Sequence, residues 1–330
     1  MKTIPNIHRI LFIRTDLIGD TLMNVPAIHL LRQTYPKAWI TLLCDQKVAP
    51  LFQGHPDLDE VMPVDRGQLK KSGKLKRELF RQIKKASFQL ALVSNPDKFF
   101  HVLTFFARIP HRVGYRRKWG FFLNHTLADN KDNSARHEID CNLDLAGVVS
   151  DKVWDGTLPL ATDEAAHKRV VDFLSQRCLD GVLIAFHVGT SNPKKRWPIE
   201  RFSELADKIQ ADSGAKVVLV GGAEEKAAGD AVFRQTHLSV VDAIGQFSLR
   251  ELSAFLAMKN VKALISSDSG PAHIAWMLGT PAVIFYAKDV AGSNPIRWGP
   301  RDTKSEVIEK PMLEISVDDA FEALERVLSK

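Results

Sequence analysis

The sequence predicts an α/β protein with two doubly wound parallel sheets, on three observations. Short apolar runs of strand character alternate with helical periodicity from end to end, as strands joined by crossover helices do. The series runs twice, separated by a thin polar stretch around residues 151–163 that contains Gly156 and Pro159. At 330 residues the chain is long enough for two domains, set here at residues 1–158 and 159–330.

The first half opens on the buried-type strand Ile10–Ile13, which ends in Arg14-Thr15-Asp16-Leu17-Ile18-Gly19-Asp20. A helix is expected from about Thr21 to Tyr35, with Pro26 early in it, where proline is best tolerated. Strands follow at Trp39–Leu43 and Glu60–Val64, with a short helix at Val48–Phe52 between them. Lys70 to Ala86 reads as one amphipathic helix, with Leu75, Leu79, Phe80 and Ile83 on one face. Its other face carries Lys70, Lys71, Lys74, Lys76, Arg77, Arg81, Lys84 and Lys85 against the single acid Glu78. Leu90–Val93 is a fourth strand. Asn95-Pro96-Asp97 starts a helix whose Phe99–Phe106 are expected to be mostly core. The basic run His111–Lys118 and a helix over His137–Val149 complete this half.

The second half repeats the scheme. Helix Asp163–Arg177 precedes strand Val182–Phe186, which opens into His187-Val188-Gly189-Thr190-Ser191-Asn192-Pro193-Lys194-Lys195-Arg196-Trp197-Pro198. Helix Ile199–Ser213, strand Val217–Val220, helix Glu224–Thr236, strand Val240–Val241 and helix Leu249–Met258 come next. Strand Val261–Ile265 leads into Ser266–His273, then a short helix that Pro271 starts and Gly279 and Pro281 stop, then strand Ala282–Phe285. Ile315–Leu328 is a last helix. The reading is two Rossmann-like domains facing across a cleft, and ligands in such sheets bind at the carboxyl ends of strands. The three polar loops Arg14–Asp20, His187–Trp197 and Ser267–His273 all lie at such ends.

Composition narrows the classes. Cys44, Cys141 and Cys178 are three in number, far apart and without metal spacing, which reads as reduced thiols. The N-terminus has no h-region and no window reaches eighteen apolar residues, so neither a signal peptide nor a membrane-spanning helix is expected. Residues 1–160 hold 24 Lys and Arg against 16 Asp and Glu, a net of +8, whereas the remainder holds 21 against 23, a net of −2. A basic first half predicts an anionic partner there. With Phe99–Phe106 and Trp119-Gly120-Phe121-Phe122 close by, the pattern suits an anionic amphiphile or leaflet. No stacking platform or helix-turn-helix signature points to nucleic acid.

Neither GxGxxG nor GxxxxGK[ST] is present. Asp20, at a helix N-terminus, is either a first-turn acid or a general base. Thr190, Ser191 and Lys195 offer two hydroxyls and a cation, and the helix start at Ser269-Gly270 offers backbone N–H groups; together they suit a diphosphate. Asp57-Leu58-Asp59 matches the DxD pattern of metal-dependent sugar transfer but reads as turn chemistry. His273 suits the orienting of a loop.

Arg14–Asp20, His187–Ser191 with Lys195-Arg196-Trp197-Pro198, Gly221-Gly222-Ala223-Glu224-Glu225, and Asp268–His273, in this order, resemble the ADP-heptose:lipopolysaccharide heptosyltransferases, glycosyltransferase family 9. The resemblance covers nearly the whole chain. It implies the GT-B fold, with acceptor bound by the first domain and donor by the second, and a last helix that crosses back to the first domain. It implies inverting, metal-independent transfer of heptose from ADP-L-glycero-D-manno-heptose to a hydroxyl of the lipopolysaccharide core, with no cofactor. Asp20 matches the catalytic base. Thr190, Ser191 and Lys195 would hold the diphosphate, Ser269 and Gly270 would add N–H groups, and Asp268 would bind the heptose with His273 supporting the loop. Glu225, or Glu224, would take the ribose, and Phe247 would lie near the adenine. Arg14, Lys70, Lys74, Arg112 and Arg116 are the expected acceptor contacts. The acceptor's phosphates and carboxylates fit the basic half, and imply a cytoplasmic protein peripheral to the inner membrane of a Gram-negative-type cell. A nucleotide-sugar epimerase or hydrolase on the same scaffold, and a non-catalytic binding protein, are the competing readings.

Overall fold

A computed structural model describes residues 3–129, 136–160, 163–190 and 192–330. The chain forms two compact units, Met1–Ala161 and Thr162–Lys330.

In the first unit the order is β1 (Arg9–Arg14), α1 (Ile18–Leu22), α2 (Val25–Thr34), β2 (Trp39–Asp45), β3 (Glu60–Val64), α3 (Arg66–Lys71), α4 (Gly73–Ala86), β4 (Leu90–Val93), α5 (Lys98–Phe106), β5 (His111–Tyr115), β6 (His125–Leu127) and α6 (Glu138–Gly147). The strands are parallel in the order β3-β2-β1-β4-β5-β6. β1 and β4, buried along nearly their whole length, read as unbroken apolar runs because a central parallel strand is covered on both faces.

Two helices differ from expectation. The helix expected over Thr21–Tyr35 is two: α1 ends at Leu22, and α2 restarts with Asn24 as its N-cap and Pro26 in its first turn. A helix running straight through would place Pro26, which has no N–H, opposite the Leu22 carbonyl. The basic helix also divides. Ser72, in extended conformation, ends α3, and its hydroxyl accepts the Leu75 N–H at 3.3 Å to start α4. Lys70 and Lys71 therefore sit on α3 and the other six cations on α4. The apolar face of α4 is as expected: Leu79 and Ile83 are buried, with Leu75 and Phe80 packed against the same core.

The second unit runs α7 (Glu164–Ser175), β7 (Leu183–His187), α8 (Ile199–Ser213), β8 (Lys216–Val220), α9 (Lys226–Gln235), β9 (Val241–Asp242), α10 (Leu249–Leu256), β10 (Val261–Ser267), α11 (Gly270–Met277), β11 (Ala282–Ala287), α12 (Pro295–Trp298), β12 (Glu306–Lys310) and α13 (Val317–Leu328). Its parallel order, β12-β11-β10-β7-β8-β9, repeats the first sheet's connectivity. In both units the strand order reverses beside the first strand, between β1 and β4 and between β7 and β10. That crevice is the ligand position of doubly wound sheets. α13 buries Val317, Ala320, Ala323, Leu324 and Val327 in the core of its own unit. β5, read from the sequence only as part of a basic run, and β6, α12 and β12 are elements the sequence does not predict. They are short, and β12 buries a single residue, Ile308, so its sequence Glu-Val-Ile-Glu-Lys carries little strand signal.

Candidate functional site

The reversal point of the first sheet holds a charge cluster. Arg14, the last residue of β1, is 4% exposed. Its guanidinium lies 3.1 Å from Asp16, 2.8 Å from Asp20 and 3.5 Å from Glu138, and donates to the Ser94 hydroxyl at 3.2 Å. Asp16 is shared with Arg66 at 2.7 Å. Asp20 stands in the first turn of α1 with its side chain 28% exposed, the most open of the carboxylates around Arg14. Burial raises its pKa; the charge of Arg14 opposes this without cancelling it, and Asp16 and Glu138 add to it. For Arg14 burial lowers the pKa, but Asp20, Glu138 and Asp16 outweigh that and raise it. A carboxylate less acidic than usual, partly open, beside a fixed cation is the constitution of a general base.

A buried amide network holds this turn. Asn24 donates to the Asp20 carbonyl at 2.7 Å, Ser94 donates to Asn24, and Asn142 of α6 donates to the Met23 carbonyl at 3.0 Å. The break between α1 and α2 thus supplies Asn24, which ties the Asp20 backbone to Ser94 just after β4, and Met23, whose carbonyl is held by α6.

The reversal point of the second sheet is also polar. His187 ends β7, and its Nε2–H donates to Glu225 at 3.1 Å. Its Nδ1 is left to accept from the Ser269 hydroxyl at 3.2 Å, with the Ser266 hydroxyl, which donates to the Ser267 carbonyl, 3.1 Å away. The second oxygen of Glu225 accepts the Gly222 N–H at 2.9 Å. Burial works to raise the Glu225 pKa, but His187, that N–H and Arg196 bring it below the ordinary value. The carboxylate fits only because glycine backbone passes it: a Cβ on Gly189 would stand 1.6 Å from one oxygen, and one on Gly221 2.1 Å from the other.

Lys195 donates to Asp268 at 2.7 Å, and His273 approaches the other Asp268 oxygen at 3.6 Å. Burial pushes Asp268 up, but His273 and Lys195 outweigh it and hold the carboxyl below its usual range. The loop bearing Lys195 is pinned by the adjacent Trp197, fully buried, whose indole donates to the Ile315 carbonyl at 2.9 Å and packs on Phe202 and Phe285. Asp268 and Ser269 precede α11. Ser269 is its N-cap but makes no side-chain cap, because that hydroxyl is engaged by Ser266 and His187. Ser269 therefore leaves the N–H groups of Gly270 and Ala272 without a cap of its own, and the N-terminus carries the positive end of the helix dipole.

The structure thus brings together Lys195, Glu225, Asp268, Ser269, Gly270 and His273 at the ends of β7 and β10. Thr190 lies just after β7, its hydroxyl accepting the Asn192 N–H at 3.3 Å. Ser191 lies outside the described residues. Phe247 stacks on Phe255 at 5.3 Å and meets Phe173 edge-on at 4.8 Å, half exposed beside the open Gly245-Gln246 turn. Among the expected acceptor contacts, Lys70, Lys74 and Arg116 are exposed. Arg14 is committed to the buried cluster, and Arg112 donates to the carbonyls of Phe122 and Ile109 at 2.8 and 2.5 Å. The carboxylates of Asp57 and Asp59 meet His29 at 2.9 Å and Arg32 at 2.5 Å, as internal turn chemistry requires. Sequence reasoning assigned no role to Glu138, Asp16, Ser266 or His187. Only His187 left a local signal, as a polar residue ending a buried strand.

The sequence matches the family model "Glycosyltransferase family 9 (heptosyltransferase)" over residues 76–322. It is 26% identical to lipopolysaccharide heptosyltransferase 2 of Escherichia coli K12, over 91% of this chain and 87% of that protein. A glycosyl transferase family 9 structure from Veillonella parvula superposes with a TM-score of 0.88 at 25% identity, covering 98% of this chain and 97% of that one. The E. coli ADP-heptose lps heptosyltransferase II structure does so with a TM-score of 0.79 at 25% identity, covering 97% and 98%. Two doubly wound units in one chain are the GT-B composition of these enzymes, and with its fold and sequence in agreement the chain belongs to glycosyltransferase family 9, the heptosyltransferases.

Proposed function

We propose that the protein transfers a heptose from ADP-heptose to a hydroxyl of the lipopolysaccharide core, with inversion and without a metal. The observation that carries the donor half is the pairing of Lys195 with Asp268 beside the N-terminus of α11, which Ser269 leaves without a side-chain cap of its own, at the reversal point of the second sheet. A nucleoside diphosphate finds there a cation, backbone N–H groups and a helix dipole. Glu225, held against Gly189 and Gly221, is the carboxylate available for the ribose, and Phe247 the aromatic surface for the base. The names of the E. coli relatives support both the ADP-heptose donor and the lipopolysaccharide acceptor.

In this reading Asp20 takes the proton of the acceptor hydroxyl as its oxygen attacks the anomeric carbon. The bond to the diphosphate breaks on the opposite face, which gives inversion. Charge gathering on the departing ADP is stabilised by Lys195 and by the N–H groups at Gly270, donors already in place before the reaction. Asp268 reads the heptose hydroxyls while its charge is held by Lys195 and His273. Lys70, Lys74 and Arg116 meet acceptor phosphates, and the protein works peripherally at the cytoplasmic face of the inner membrane.

Incubation with ADP-heptose and heptose-deficient lipopolysaccharide tests this. The expected result is a mass gain of one heptose on the acceptor. ADP-heptose consumed with no sugar on the acceptor would overturn the transfer and favour the hydrolase reading.

A further inference from the structure

The first unit exposes an aromatic cluster that a folded core does not account for. Phe105, Phe106, Trp119 and Phe121 are 43%, 57%, 49% and 76% exposed. They form one surface through Phe122: its ring lies 5.1 Å from Phe105, 6.4 Å from Phe106, 6.4 Å from Trp119 and 4.6 Å from Phe121. The sequence assigned most of Phe99–Phe106 to the core. That holds for Phe100, and Phe99 packs against the core from its edge, but not for Phe105 and Phe106.

The backbone under this cluster is built to present it. Lys118 and Trp119 both sit in the left-handed region, at φ 48° and 68°, which non-glycine residues adopt only where surroundings impose it. His101, fully buried on α5, donates from Nδ1 to the Lys118 carbonyl at 3.1 Å. Phe122 N–H to Trp119 and Leu123 N–H to Gly120 close the turn, at 3.2 and 3.0 Å. The rings are carried on a fixed knuckle.

The rim is cationic. From Lys98 to Phe122 there are six Lys and Arg and no Asp or Glu. Lys98 lies over the Trp119 ring at 5.1 Å and Arg112 over Phe105 at 5.3 Å, while Lys76 of α4 lies over Phe99 at 5.9 Å. α4 thereby extends the same charge. A second copy of this chain would set cations against cations. A leaflet of anionic lipid matches both features, since aromatic rings partition to the headgroup layer and basic side chains meet lipid phosphates.

We infer that Phe105, Phe106, Trp119 and Phe121 insert into the headgroup layer of an anionic bilayer, with the basic rim of Lys76, Lys98, Arg108 and Lys118 holding the lipid phosphates. This deepens the peripheral-membrane part of the proposed function and rests on it.

Flotation with phosphatidylethanolamine/phosphatidylglycerol vesicles and with phosphatidylcholine vesicles tests it. The wild type should partition at least about tenfold better to the anionic vesicles, and Trp119→Ser/Phe121→Ser should lower that partition about tenfold or more. Lipids brominated near the headgroup should quench a part of the tryptophan emission that is missing in Trp119→Phe. Transfer to a delipidated core oligosaccharide, read in parallel, should be equal in wild type and double variant, so that loss of insertion is told apart from loss of heptosyl transfer. Undiminished anionic-vesicle binding by the double variant, or equal quenching in Trp119→Phe, would overturn the insertion. Equal wild-type binding to both vesicles would overturn the role of the rim. A wild-type dimer in sedimentation that the double variant dissolves would overturn the insertion, since the rings would then meet a second copy.

Discussion

Arg14 and Asp20 form an ion pair of 2.8 Å in which the cation is almost fully buried and the carboxylate is more than a quarter exposed. Arg14 is a fixed charge around which Asp16, Asp20 and Glu138 are arranged, and Asp20 is the most exposed carboxylate of that group.

Replacing Arg14 by Leu leaves three acidic groups gathered without their cation. Loss of one partner of a buried pair costs about 3–5 kcal/mol. Thermal or urea unfolding should show a loss of that order. Arg14→Lys should recover part of it, since a compact ammonium lacks the planar fork that spans Asp16, Asp20 and Glu138.

Asp20→Asn should lower kcat by about a hundredfold or more while leaving donor affinity unchanged, because the lost group acts on the acceptor proton. Wild-type kcat/KM should fall on the acid side at a pH above the ordinary aspartate range, since burial raises the Asp20 pKa. An acid limb at or below that range would remove Asp20 as the base. In Arg14→Lys the limb should move up further, a shift that a purely structural role for Arg14 would not produce.

Asp268 behaves in the opposite sense. Its pKa is lowered on folding, so its contribution to stability is present above the unfolded aspartate value and is lost as pH falls through the lower folded value. Asp268→Asn should therefore be destabilised by about 3 kcal/mol near neutrality, with Lys195 left unpaired, and by less as the pH is brought below the carboxylate range. Melting temperatures across pH, compared with wild type, read this directly. Lys195→Ala should weaken ADP binding by calorimetry; unchanged affinity would place the diphosphate elsewhere.

Gly189→Ala tests the carboxylate slot. A Cβ there would meet the Glu225 oxygen at 1.6 Å, so Glu225 must leave and its bond to His187 is lost. Stability should drop by about 1–3 kcal/mol and ADP affinity should fall with it. An alanine variant with wild-type donor affinity would separate Glu225 from ribose binding.

Chelation with EDTA should leave transfer rates unchanged. Asp57 and Asp59, whose spacing imitates a metal-binding pair, are taken up by His29 and Arg32.

Much of this protein was legible before folding was considered. Ile10–Ile13, Leu90–Val93 and Ala282–Phe285 read as strands because a central parallel strand must be apolar on both faces. Asp97 marks a helix start because its oxygen accepts an orphan N–H group. Asp20, Lys195 and Asp268 stood out because they follow such strands, where doubly wound sheets place ligands. What tertiary structure alone decided lies in pairings between distant segments. Glu138 joins Arg14, Glu225 joins His187 and Asp268 joins Lys195 because parallel strands bring loops from far apart in the chain to one sheet edge. The direction of each pKa shift follows from those neighbours and from burial, neither of which has a period in the sequence. Phe100 and Phe105 look alike in the chain, and only the packing of α5 put the first inside and the second out.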